Sequence, residues 1–579
     1  MKNIYNLFLL SCIFICISCS DFLKEEPKTI LSPDNFFSSV EDMKLATHSL
    51  YAVYRIAYGD SSDEIFLTIG SDDVTSDRSE WDWAQSDVFT QSDGASRLVD
   101  AWKIPYWGIT RANFIINNYE SVPTYSDEEL AQKNNMAGQA YFQRGHWLFW
   151  LAKFWGPVPM PLDNSGQTLK KSSVEEIYNQ AISDLIRAEE LLPEQQTDDI
   201  WVTDNGFSLV PHKGTAKAWL AQIYLQSAGW PLKWTQNYAK AAAKAKEVID
   251  NREKYKFGLV PIEKLWKGEQ IWDEECVWGI TYLGLGNNDN YTMRNPMGQT
   301  PEEEGGWACE MAEIKFFNEF PKGGRFDVTF QTDIWIEDNP TEEELATYGN
   351  ESNWPTQNED YTWSNFSEEQ LKAGERFYCK RSNGTKSWRR QVSWDDPRTF
   401  RRHPYYAKRR FDRSLAQHDW NSRAIDGNLW ASGNLQRWMR FSEVLLIYAE
   451  AKAMSDGPDQ SAYDAFNEVR RRGKDLPDLK PGLSAEEFQD SCFYERGIEF
   501  CGLEYGTRWA DLLRFEKVEE VNAHRLTEEF WPDTQKPKET KIYHALTKAD
   551  YYFKIPADEK AKAGYTDNNA ATNPIYPAE

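Results

Sequence analysis

The chain has 579 residues and carries 91 acidic against 65 basic side chains, a formal net charge of −26. That length allows a large core, and a field of that sign repels phosphate backbones, which argues against a nucleic-acid partner. Residues 1–18 hold Lys2, an apolar run from Leu7 to Ile17 and the small Ser18 directly before Cys19. The run is too short to span a bilayer and reads as a secretory signal, with Cys19 expected to be acylated as the new N-terminus of a lipoprotein. Ser20 to Pro27 then makes a short polar leash. After Cys19 no apolar run approaches the ~20 residues of a membrane helix, so membrane attachment is expected through lipid on Cys19.

Segment 72–87 follows, with Asp72, Asp73, Asp77, Arg78, Trp81, Trp83 and Gln85. Sugar rings present flat C–H faces beside polar rims, so a glycan site needs aromatic platforms flanked by side chains that bind hydroxyls. Asp73, Arg78, Trp81 and Trp83 are the first candidate set, the two tryptophans sharing one side if the segment is extended. Burial in the core is the competing fate for both rings.

Three helical pairs come next. Ala137, Tyr141, Leu148, Leu151 and Trp155 line one face, followed by Ile177, Ala181, Leu185, Ala188 and Leu192, with Ser173 and Glu176 as a capping box. Ala216, Leu220, Ile223 and Tyr224 precede Ala239, Ala242, Ala245 and Ile249. Phe441, Leu445, Tyr448 and Ala449 precede Ala462, Phe466 and Val469. Alanines among large aromatics on paired helices suit tetratricopeptide-like stacking, and Trp147, Trp150, Trp155 and Trp219 fall on these core faces.

Between about Tyr255 and Asn434 the texture turns to Gly, Asn, Pro, Asp and Trp, predicting long loops and short strands. Tyr282 to Trp307 is the second candidate segment, with Tyr291 and Trp307 as its aromatic ligands. Trp354, Trp363, Trp388, Trp394 and Trp430 suit either core or surface. Segment 389–413 is basic, and salt bridging to the carboxylate excess explains it better than an anionic ligand. Five cysteines remain beyond Cys19 (Cys276, Cys309, Cys379, Cys492 and Cys501), with no Cys-x-x-Cys pair, so buried thiols are expected and zinc ligands are lacking. Glu495, Arg496, Glu499, Glu504, Arg508, Asp511 and Arg514 alternate in sign at three- and four-residue spacing, which reads as an intrahelical ion-pair lattice rather than the carboxylate pair of a glycosidase. The seven histidines show no His-Glu-x-x-His, and no nucleophile elbow or dinucleotide loop is present.

Several strings in order along the chain resemble the SusD and RagB family, the surface glycan-binding lipoproteins of Bacteroidetes. They are Cys19 to Pro27, Phe36-Phe37, Glu41-Asp42, Tyr51 to Arg55, Trp102 to Ile116, Ala140 to Pro161, Arg440 to Ala453, Asn467 to Arg472, Glu495 to Arg514, Ile555-Pro556 and Asn573 to Tyr576. The resemblance implies a mainly α, tetratricopeptide-like scaffold: a lipoprotein signal at 1–18, an N-terminal helical region at 19–254 and a C-terminal region at 255–579 with a loop-rich insert at 255–434. No linker divides it, so one continuous assembly is expected. It places polar and aromatic ligand residues in the stretch containing Asp73, Arg78, Trp81 and Trp83. It implies capture of an oligosaccharide at the outer-membrane surface, without catalysis or cofactor, and delivery to a TonB-dependent SusC-like transporter. A surface glycoside hydrolase and a RagB-like peptide binder are the alternatives.

Overall fold

A computed structural model describes residues 36–58, 70–76, 82–165, 170–266, 272–281, 310–338, 341–343, 346, 374, 376–380, 386–399, 403–409, 435–502, 504, 506–527 and 541–563. Helices dominate: α1 (Val40–Tyr58), α2 (Asp82–Asp87), α3 (Ser96–Ile116), α4 (Asp127–Trp155), α5 (Val174–Leu191), α6 (Lys213–Ala228), α7 (Asn237–Asp250), α8 (Ile314–Glu319), α9 (Gly324–Thr329), α10 (Phe441–Asp456), α11 (Gln460–Gly473), α12 (Ala485–Phe500) and α13 (Thr507–Arg514). Among the described residues none is long and apolar enough to cross a membrane.

The three predicted pairs are α4–α5, α6–α7 and α10–α11. They stack in series: α4 packs on α3 and α5, α6 on α5 and α7, and α10 on α7, α11 and α12. The fold is therefore mainly α and tetratricopeptide-like. Ser173 and Glu176 form the predicted capping box at the start of α5. The predicted faces of α4, α5, α10 and α11 are buried apart from the half-buried Tyr141. On α7 the buried face is Tyr238, Ala241, Ala242, Ala245 and Val248, with Ala239 exposed. The face is turned by about one residue from the expected one, because Tyr238 and Val248 remove more apolar area from water than Ala239 would.

Helix α4 is buried on all sides from Met136 onward except at Tyr141, as befits the central helix of the stack. Its His146 lies in a cage of rings, 4.7 Å from Trp438, 4.9 Å from Trp147 and 5.7 Å from Trp219 between centroids. The Trp219 indole N–H donates to His146 Nδ1 at 3.1 Å. Gly108 of α3 crosses this cage where an added Cβ would lie 2.2 Å from Trp147 Nε1, so the helices approach this closely only with glycine there. Cys276, Cys492 and Cys501 are buried free thiols; Cys309 and the Cys379 side chain lie outside the described residues.

Burial holds His146 well below the ordinary histidine range and brings His212, the N-cap of α6, down to about 3. Both are neutral when folded and titrate near 6.5 when unfolded. Protons therefore bind the unfolded chain preferentially below pH 6.5, and stability falls as pH drops from there, for His212 by about 1.4 kcal/mol per unit down to about 3. His212→Asn keeps an acceptor for the Gly214 N–H without a titrating ring. Urea unfolding between pH 4 and 7 should give this variant a shallower loss than the parent; equal slopes would contradict it.

Strands are short: β1 (Val74–Thr75), β2 (Val158–Pro159), β3 (Lys171–Ser172), β4 (Cys276–Ile280), β5 (Met311–Ala312), β6 (Phe330–Gln331), β7 (Asp333–Glu337), β8 (Arg376–Lys380), β9 (Lys386–Ser393), β10 (Tyr405–Tyr406) and β11 (Gln436–Arg440). They form a sheet in the order β1-β5-β10-β6, ribbons β4–β11 and β2–β3, and a sheet β7-β9-β8. Most lie in the stretch where loops and short strands are expected. Trp388 is buried there and Trp394 is half-buried against the core.

Candidate functional site

Strand register decides which segments meet. β1 is antiparallel to β5, Val74 opposite Ala312 and Thr75 opposite Met311, and β10 flanks the other side of β5 with Tyr405 opposite Met311. In antiparallel ladders the end of one strand lies beside the start of its partner, so Ser76, Glu310 and Tyr406 share one end of this sheet. In the β4–β11 ribbon Gln436 is opposite Ile280, which sets the end of β4 beside the start of β11. The chain thus enters or leaves segments 77–81, 282–309 and 410–434 at these strand ends.

The segment Ser71–Ser76, which leads into the first of them, is stapled by side chains from far along the sequence. Arg508 of α13 grips Asp72 through two bonds of 2.7 and 2.6 Å. Asp73 accepts from Ser71 Oγ at 2.5 Å and from the Gly502 N–H at 2.9 Å, while its carbonyl accepts from Tyr406 Oη at 2.5 Å. Asp87 of α2 accepts from Thr75 Oγ1 at 2.9 Å and the Ser76 N–H at 3.3 Å. Burial, with the Asp72 charge beside it, pushes the Asp73 carboxyl up to about 6.

Behind the staple lies a buried ion network. Arg440 bonds Glu275, Glu499 and Glu504; Arg472 bonds Glu275 and Glu499; Arg325 bonds Asp475 and Glu495 and lies 3.3 Å from Glu499. Arg496 bridges Glu443 and Asp511, and Arg514 joins Asp511 to Glu450. The expected lattice within one helix is therefore a correction: only Arg514–Asp511 is intrahelical, and the other partners come from different elements, because sealing α10–α13 against β4 and β11 leaves these charges no water to pair with. Of the basic segment, Arg390 pairs with Asp338 and Lys408 with Glu504, both at 2.7 Å, as the salt-bridge reading expects.

Of the candidate ligands, Asp73 and Trp83 lie among the described residues and differ from the exposed platform expected. Asp73 is 1% exposed, and its carboxylate is turned inward to Ser71 and Gly502. Trp83 is 2% exposed and sits on helix α2 rather than an extended strand; the Arg97 guanidinium lies over its ring at 4.9 Å. A helical turn replaces strand alternation, so Trp83 points to the core. Arg78, Trp81, Tyr291, Trp307 and Cys19 lie outside the described residues. The sequence reading missed Tyr406 and Asp87 and gave Arg508 a different partner; the Asp72–Arg508 pair spans 436 positions, which leaves no local signal.

Residues 21–225 match the family described as "Starch-binding associating with outer membrane", and residues 269–576, more than half of the chain, match the SusD family. A relative, SusD-like protein P2 of Formosa agariphila, is 25% identical over 607 aligned positions covering 99% of both chains. Among solved structures, a SusD homolog from Bacteroides thetaiotaomicron superposes with a TM-score of 0.68 at 20% identity, over 92% of this chain and 97% of that one. A laminarin-binding SusD-like protein does so with a TM-score of 0.63 at 18% identity, over 90% and 97%. With a helical-pair scaffold, the matching strings in order and a family match over most of its length, the chain belongs to the SusD/RagB family.

Proposed function

We propose that this protein is a lipid-anchored, non-enzymatic glycan-binding protein of the outer-membrane surface that captures an oligosaccharide and delivers it to a TonB-dependent SusC-like transporter. The observation that carries the reading is the register that sets Ser76 beside Glu310 at one end of a sheet, since these two residues border in sequence segments 77–81 and 282–309, which hold the remaining candidates Arg78, Trp81, Tyr291 and Trp307. Aromatic faces supply stacking and Arg78 supplies hydroxyl contacts. A net charge of −26, with Arg390 and Lys408 already paired, favours an uncharged oligosaccharide. The hydrolase alternative needs a carboxyl with a raised pKa across a cleft from a second one. The carboxyl that is raised in this region, Asp73, is buried against Ser71 and Gly502 with Asp72 adjacent in the chain rather than across a cleft, and arginines hold Glu499 well below the usual range against its burial, which favours binding over cleavage.

Anchoring is proposed through Cys19. Cys19→Ala should leave the protein out of the membrane fraction in cells lacking the transporter, and wild-type recovery there would contradict the anchor. Affinity purification from detergent-solubilised outer membranes tests delivery: a large barrel protein should co-purify, and its absence after mild cross-linking would overturn the transporter partnership.

A further inference from the structure

We propose that the segment Ser71–Ser76 is a proton-controlled latch, docked on the corner between α12 and α13 most firmly when Asp73 carries a proton. The geometry is a buried charge imbalance. Asp72 and Arg508 neutralise each other through their paired bonds, which leaves Asp73 as a second carboxylate, and among the described residues no cation is bonded to it.

The other charged groups around it are already committed. Glu504, from the turn after α12, pairs with Lys408 and Arg440. Asp511 on α13 pairs with Arg496 and Arg514. Asp87 on α2 and Glu313 beyond β5 face Arg525. Burial keeps the Cys501 thiol and the Tyr406 hydroxyl protonated. A proton on Asp73 removes the surplus charge and costs no contact, since a carboxylic acid still accepts the Gly502 N–H through its carbonyl oxygen and donates its O–H to Ser71 Oγ. A shallow recess lined by Ser71, Asp73, Glu504, Thr507 and Arg508 among others opens beside it and gives the proton a route.

The sign follows from linkage. In the docked segment the carboxyl titrates near 6; released into water it returns to about 3.9. The docked form therefore binds the proton more tightly, and docking strengthens as pH falls from 6 towards 4, roughly tenfold per unit, and is flat above. The consequence for ligand rests on the glycan-binding reading: Ser76 precedes the candidate Arg78 by two positions in the sequence, so pH would tune binding through the docking of Ser71–Ser76.

Hydrogen exchange, corrected for intrinsic rates, tests this on the full chain. Peptides covering 70–76 and 501–508 should gain about tenfold protection between pH 7 and pH 5, and Asp73→Asn, which is neutral at both, should not. Equal behaviour of the two proteins overturns the latch. If the variant fails to fold, the Asp73 carboxyl followed by carbon NMR in the parent should titrate near 6, and an ordinary midpoint near 4 overturns it. Neither readout involves a glycan, so loss of the binding reading leaves the latch standing, and the reverse.

Discussion

Replacing Arg440 by methionine is expected to lower the unfolding free energy by about 3 to 5 kcal/mol, the range for breaking a buried ion pair from one side. Arg440 is 2% exposed and reaches Glu275, Glu499 and Glu504 at 2.6 to 2.7 Å. Its Nη2 also donates to the Glu499 carbonyl at 2.8 Å. Methionine fills similar space, so packing is largely kept while three carboxylates lose a shared cation. Arg472 and Arg325 would still serve Glu499, and Lys408 would still serve Glu504, which caps the loss. The exposed pair Arg471–Asp478, with side chains 57% and 46% exposed, supplies the contrast: Arg471→Met should leave the urea midpoint close to that of the parent. Equal urea midpoints for Arg440→Met and the parent would contradict this account of the network.

The second large effect is on binding. Alanine at both Trp81 and Trp307 should weaken oligosaccharide affinity by about 2 to 6 kcal/mol in total, taking each stacked ring as worth 1 to 3 by analogy with bases stacked on aromatic side chains. A weak surface interaction would then be undetectable by calorimetry. Trp83→Ala acts differently: Trp83 is buried under Arg97 in α2, so its loss should lower stability by about 3 to 5 kcal/mol as a large-to-small core change. Unchanged affinity in a folded Trp81→Ala/Trp307→Ala protein would remove both rings from the site.

How much of this was legible in the sequence depends on the range of the interaction. The helical pairs were, because apolar spacing within one helix is local: the faces containing Leu185, Phe466 and Val469 are buried as read. The α7 face was misread by a residue because several alanines in a row leave the period ambiguous. Within 72–87, Asp73 and Trp83 turn inward for reasons no neighbouring residue announces. Gly502 and Tyr406 sit 429 and 333 positions from Asp73. The acidic and basic residues of 495–514 fit helical spacing by coincidence of composition, while their partners Arg325, Arg440, Glu443 and Glu450 come from elsewhere in the fold.

Titration of a panel of neutral oligosaccharides into the soluble chain lacking residues 1–19, with the mixture analysed afterwards for products, tests the central claim most directly. The account predicts saturable binding of at least one glycan, with that glycan recovered intact. Release of shorter products, or no binding to any glycan alongside saturable binding of peptides, would contradict it.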